Sequence, residues 1–127
     1  MESLEIGPGA AGFFQPAEWM PHKAVLLAWP SHVDLWQEHL SGAQREMRDL
    51  CQAIADFHPE TQTFRGESLW MLVPHDEAEK TAQEYLKGWP VRFLKIPFGD
   101  IWLRDTAPIF LLDTLGNSAT VNFYFND

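Results

Sequence analysis

The sequence holds one cysteine, Cys51, in 127 residues. A single thiol excludes an internal disulfide and a cysteine-built zinc cage. Cations are scarce: nine Lys and Arg face 18 Asp and Glu, for a net charge of −9. Nucleic-acid binding rests on Lys and Arg at phosphates, so no nucleic-acid partner is expected. The acidic field favours cationic ligands instead. Long hydrophobic runs are missing too. The longest, residues 24–29, is far too short to cross a bilayer, and no membrane partner is expected. The opening Met1-Glu2-Ser3-Leu4-Glu5 lacks the basic start and apolar stretch of a secretory leader, which makes a cytoplasmic setting the expectation. No serine sits in a G-x-S-x-G elbow and no glycine-rich phosphate loop follows a strand. His22, His32, His39, His58 and His75 form no H-x-x-x-H or H-E-x-x-H pattern, so no metal site is expected.

What is present is material for packing. Apolar residues make up 46% of the chain, with six tryptophans and nine phenylalanines. That suits one compact domain, burying roughly two-thirds of the surface its unfolded chain exposes. Residues 1–15 read as a flexible arm and 16–127 as the domain. Residues 24–29 form a continuous apolar run, as in a strand buried on both faces. A short helical turn is expected over 34–40. A helix then opens with a capping box, Ser41 and Gln44, and carries Met47, Leu50, Cys51 and Ile54 on one face, with Phe57 extending the stripe and Pro59 ending it. Residues 60–68 read as polar loop, and 69–73 as a second strand. A second capping box, Asp76 and Glu79, starts a helix with Ala78, Ala82, Tyr85 and Leu86 inward and Lys87-Gly88 as its stop. Residues 91–96 are a third strand; 109–112 and 119–125 read as a hairpin turning through Asp113, Gly116 and Asn117. Strands alternating with helices predict an α/β fold.

Cys51 lies in the middle of an apolar helix face, whereas a reactive thiol needs an accessible, electropositive site; a structural role is expected. The segment Pro97-Phe98-Gly99-Asp100-Ile101-Trp102-Leu103-Arg104-Asp105-Thr106-Ala107-Pro108 is different. It sets two carboxylates, an arginine and an indole within six residues, in a loop between apolar strands. Asp105 can take two parallel N–H bonds from a planar guanidinium while Trp102 stacks on the same cation. Residues three apart point to opposite faces of a flat strand, so this reading needs a bend. By residue type alone a structural role is favoured: Arg104 paired with an acid, Trp102 in a core, Asp105 capping a turn. Asp100 and Asp105 as a general acid–base pair, as in glycoside hydrolysis, is the weaker third reading.

Two stretches carry a family resemblance. One is Pro16-Ala17-Glu18-Trp19-Met20-Pro21-His22-Lys23-Ala24, running into Leu27-Ala28-Trp29-Pro30. The other is Asp100-Ile101-Trp102-Leu103-Arg104-Asp105-Thr106-Ala107-Pro108, followed by Val121-Asn122-Phe123-Tyr124-Phe125-Asn126. In order and spacing they resemble the N-terminal part of the agmatine deiminase and Porphyromonas-type peptidyl-arginine deiminase family. The resemblance implies a pentein, a five-bladed α/β propeller, of which roughly two blades fall in this chain. It implies a hydrolase of guanidino groups working without cofactor: a cysteine displaces ammonia from the guanidinium carbon, and a histidine helps water release a ureido product. The substrate it implies is agmatine, giving N-carbamoylputrescine for polyamine synthesis, or an arginine side chain. On this chain it assigns substrate contacts to Asp105 and Trp102 and support to Arg104 and Asp100. It gives Trp19 and His22 the task of locking their segment in place. The nucleophilic cysteine and the histidine are expected beyond residue 127, so the chain is read as a truncated portion, inactive alone. Its expected partners are the rest of a deiminase chain or further copies of itself. A guanidine- or polyamine-binding fragment without turnover is the alternative. Ala107 departs from the Gly usual in the family.

Overall fold

A computed structural model describes residues 6–123. The chain divides into two compact units, His22–Leu103 and Met1–Pro21 with Arg104–Asp127. Each is described by itself.

The larger unit is built on a parallel sheet. Strand β1 (Val25–Ala28) leads through a single helical turn, α1 (Val33–Trp36), and a 3-10 turn over Gln37–His39 into the long helix α2 (Leu40–Ala55). A small antiparallel ladder follows, β2 (Phe57–His58) with β3 (Thr63–Phe64). Then come β4 (Leu69–Val73), helix α3 (Asp76–Tyr85) and β5 (Val91–Lys95). The sheet order is β1-β4-β5, all parallel, with Leu27 beside Met71 and Met71 beside Phe93. The core lies between this sheet and the two long helices: Trp29, Leu69, Met71 and Val73 meet Cys51 and Ala55 of α2 and Ala78 and Ala82 of α3. Small residues on α3 let its backbone approach the sheet closely, and Met71→Ala would open a cavity costing about 2–5 kcal/mol.

The α/β expectation holds, with local corrections. The run over 24–29, expected as a strand buried on both faces, forms β1 at the sheet edge, with Val25, Leu26 and Leu27 only half-buried; the central strand is β4. The Ser41–Gln44 capping box does not form. The 3-10 turn runs straight into α2, so Ser41 is already inside the helix, and Gln44 is buried with its Nε2 donating to the Pro30 carbonyl at 2.9 Å. Leu50 leaves the expected stripe and is half-exposed. Residues 60–68 are not all loop, because Phe64 is drawn into β3 by Phe57 and Trp89, with ring centroids 5.2 and 5.6 Å away.

The second capping box is also replaced. His75, the residue before α3, is its N-cap, and its Nδ1 accepts the Ala78 N–H at 3.2 Å. Asp76 and Glu79 turn instead to Lys95 at the end of β5. That ammonium holds the Asp76 carboxyl below the usual carboxylate range, chiefly through their hydrogen bond. A lowered folded-state value stabilises above the ordinary carboxylate range and is lost as pH falls through it. His75→Ala is expected to cost about 1 kcal/mol, and His75→Asn to retain most of it, because Asn is a strong N-cap. Thermal unfolding of the two variants measures the difference.

In the smaller unit, β6 (Ile109–Leu112) pairs antiparallel with β7 (Ser118–Val121). Its turn is the one expected. Asp113 Oδ1 accepts from the Leu115 and Asn117 amides, both at 2.8 Å, and Gly116 takes φ +86°. Phe14 adds an isolated antiparallel bridge to Leu112. Of the strand expected over 119–125, residues 124 and 125 lie outside the described residues, as does Asn126 of the second motif.

Candidate functional site

In a parallel sheet the strand ends lie together at one edge, and loops leaving the carboxyl edge are where ligands are usually met. Three loops leave that edge here. β1 runs into Ser31 and His32, β4 into Pro74 and His75, and β5 into the segment from Ile96 to Trp102. His32 and Phe98 bring two of these loops together, with ring centroids 5.6 Å apart. The cluster singled out by residue type therefore begins on the correct edge of the sheet.

Asp100 is half-buried and its Oδ1 accepts the N–H of Ile101 at 2.7 Å, which tightens the loop on itself. A carboxylate engaged by the adjacent backbone is a loop-shaping group. Leu103 N–H then donates to the Ile101 carbonyl at 2.8 Å, and residues Leu103–Thr106 form α4, one turn of helix. Trp102, the last residue before it, is 60% exposed.

In the other unit, Arg104 turns to Glu18, Nη2 to Oε1 at 3.3 Å. Both side chains are almost fully in water, so the pair contributes at most about 1 kcal/mol. Its consequence is chemical rather than energetic, because the guanidinium next to Asp105 in sequence is engaged elsewhere. Asp105 is exposed, and no ion pair or hydrogen bond to its carboxylate is found among the described residues. Glu18 was not singled out as a partner for Arg104, although it lies in the first motif. A pairing across 86 residues leaves no local signal in a sequence.

His22 performs its expected task. Its Nδ1–H donates to both oxygens of Glu67, at 3.0 and 3.1 Å, tying the segment before β1 to the one before β4. Trp19, in the smaller unit, is 87% exposed.

Cys51 is fully buried, and burial pushes its thiol up to about 11. It is the only cysteine of the chain, so these residues hold no activated thiol. Two results are expected. A thiol reagent leaves the folded chain unlabelled at pH 8 and labels it in denaturant. Stability also falls between roughly pH 9 and 11, by up to about 1.4 kcal/mol per pH unit, because the unfolded thiol ionises first, and Cys51→Ala flattens that slope. Among the described residues no group of three or more His, Cys, Asp or Glu side chains is arranged to hold a metal ion. No described helix is long and apolar enough to cross a membrane.

These features define an α/β chain whose carboxyl-edge loop leads into an exposed indole and an exposed carboxylate. A family model, Porphyromonas-type peptidyl-arginine deiminase, matches residues 14–127. The chain belongs to this family. It is 30% identical over 126 residues to the agmatine deiminase of Stutzerimonas stutzeri (strain A1501), across 99% of this chain and 32% of that protein. It is 32% identical over 119 residues to the agmatine deiminase of Pseudomonas aeruginosa (strain LESB58), across 94% of this chain and 30% of that one. Among solved structures, the C. jejuni agmatine deiminase superimposes with a TM-score of 0.69 at 20% identity, over 90% of this chain and 32% of its own. A second solved structure gives 0.76 at 26% identity, over 94% and 31%. The fold is thus part of a pentein, as the resemblance implied. The chain spans about a third of the length of the curated relatives it matches.

Proposed function

We propose that this chain supplies the guanidinium-holding part of a deiminase that converts agmatine to N-carbamoylputrescine and ammonia. The observation that carries the reading is the exposed Asp105 carboxylate, unpaired among the described residues, in a chain of this family. A carboxylate without an internal cation can accept two parallel N–H bonds from a planar guanidinium. The Arg104–Glu18 pair keeps the neighbouring guanidinium from occupying it. The family resemblance gives Trp102, exposed in its own unit, a substrate contact as well, and Asp100 shapes the loop between β5 and α4. The net charge of −9 draws cations toward the protein.

A guanidinium carbon is a poor electrophile, so its hydrolysis is best divided by covalent catalysis. Buried Cys51 cannot do this. The family resemblance assigns the nucleophilic thiol and the proton-moving histidine to residues outside these, and on this reading the 127-residue chain alone turns nothing over. The carboxylate contributes placement and charge stabilisation. A cytoplasmic role in putrescine synthesis belongs to the same reading. The description of the matching family favours a second substrate, the arginine side chain of a peptide.

The test uses the protein at the length its cell produces. Ammonia release is measured with agmatine and, separately, with an arginyl peptide. Release from agmatine is the expected result. Release from the peptide alone would assign the second substrate, and release from neither would overturn the reading.

A further inference from the structure

The loops leaving β1 and β5 start far apart. β4 lies between the two strands, so their ends stand two strand spacings apart, about 10 Å. Each stays bonded to β4 near its end: the Trp29 amide donates to the Leu72 carbonyl at 2.9 Å, and the Ile96 amide to the Val73 carbonyl at 3.0 Å. Beyond those bonds the gap is crossed by two side chains. The rings of His32 and Phe98 lie 5.6 Å apart, tilted by 57°, within the range of a favourable aromatic pair. Both residues are half-buried.

The two sides of this contact are held unequally. On the β1 side, Pro30 is fully buried and its carbonyl accepts from Gln44 Nε2 of α2 at 2.9 Å. The His32 carbonyl accepts the Leu35 and Trp36 amides, at 3.1 and 3.0 Å, which starts α1. His32 therefore stands on fixed backbone. On the β5 side, no hydrogen bond of Pro97, Phe98 or Gly99 is found among the described residues. The bonds that follow are local, from the Ile101 amide to Asp100 Oδ1 and from the Leu103 amide to the Ile101 carbonyl. A segment with so few backbone bonds opens at low free energy unless side-chain packing holds it. We propose that His32 and Phe98 are positioning residues: the anchored imidazole clamps the Phe98 ring, and through it the loop that carries Trp102, the proposed substrate contact. The consequence for turnover rests on the deiminase reading; the clamp itself does not.

Two measurements on the native-length protein test it. The first is amide hydrogen exchange over residues 97–103. Phe98→Ala and His32→Ala are each expected to speed it about two- to tenfold, as loss of one aromatic pair implies, with the double variant no faster than either. Phe98→Tyr and His32→Phe keep both rings and are expected to exchange like the parent. The second is kcat/KM for agmatine. Either alanine variant is expected to lower it about three- to tenfold, at most the loss expected of Trp102→Ala, and the ring-keeping variants to restore it. In a Trp102→Ala background, Phe98→Ala is expected to cost nothing further. Unchanged exchange in Phe98→Ala, or alanine effects that simply add, would overturn the clamp. Faster exchange with kcat/KM unchanged would overturn its positioning role. A parent that releases no ammonia counts against the deiminase reading, and exchange then decides the clamp alone.

Discussion

Gly66→Ala is expected to destabilise the larger unit by about 3 kcal/mol or more, lowering its Tm by about 10 °C or more. The cause is a close approach of backbone to backbone. After α2 ends at Asp56, which takes φ +44°, the chain returns through β2 and β3 and closes the helix terminus. Three amides do this: Arg65 N–H donates to the Asp56 carbonyl at 3.0 Å, Gly66 to Ala55 at 3.1 Å and Glu67 to Ile54 at 3.1 Å. Orphan carbonyls at the end of the helix are thereby satisfied. A Cβ on Gly66 would overlap the Ile54 carbonyl oxygen and stand 2.8 Å from the carbonyl carbons of Ile54 and Ala55. No side-chain rotation relieves a clash with backbone, so either the cap opens or β4 shifts. Gly42→Ala is the matched control. It lies within α2, where an added methyl meets nothing nearer than Arg45 Nη2 at 3.9 Å. That change is expected to stabilise by up to about 1 kcal/mol through helix propensity. Denaturant unfolding of both variants measures the contrast, and equal effects of the two would contradict this account of the cap.

The second large effect concerns the proposed site. In the native-length protein, Asp105→Asn is expected to lower kcat/KM for agmatine by roughly a hundred- to a thousand-fold, about 3–4 kcal/mol of transition-state stabilisation. Asn keeps the shape but donates where the carboxylate accepts, so a bidentate, charge-assisted contact with a guanidinium is lost. Trp102→Ala should cost less, about tenfold, in line with a cation–π contact. Arg104→Ala should change activity little, because its pair with Glu18 lies in water. Asp105 is exposed, so its substitution should leave the Tm unchanged. An Asp105→Asn protein active within a factor of a few of the parent would remove Asp105 from the site.

Much of the larger unit was legible in the sequence because its signals are local. The 69–73 run, the Ala78-Ala82-Tyr85-Leu86 stripe and the Lys87-Gly88 stop each sit within a few residues and became β4, α3 and its end. The hairpin turn through Asp113, Gly116 and Asn117 was readable for the same reason. Both capping boxes misled. Each needs a free helix start at its first residue, yet the 3-10 turn before α2 and the His75 cap before α3 set those starts earlier. The β2–β3 ladder escaped because its cause is tertiary: Phe57 and Phe64 meet Trp89 from distant parts of the chain. At the site, residue types showed an acid and an indole in one loop, and the family motif assigned their roles. The partners that position the neighbouring groups, Glu18 for Arg104 and Glu67 for His22, lie 86 and 45 residues away and carry no local pattern.

The central claim is a division of labour: these residues hold the guanidinium, and a thiol outside them attacks it. It is tested most directly by acid-quenching the native-length protein during turnover of agmatine and mapping the covalent adduct by peptide mass. Attack on the guanidinium carbon expels ammonia, so the adduct carries agmatine less one ammonia on sulfur. The account predicts that adduct on a cysteine outside residues 1–127, with Cys51 unmodified. An adduct on Cys51, the buried thiol between α2 and the sheet, would contradict it.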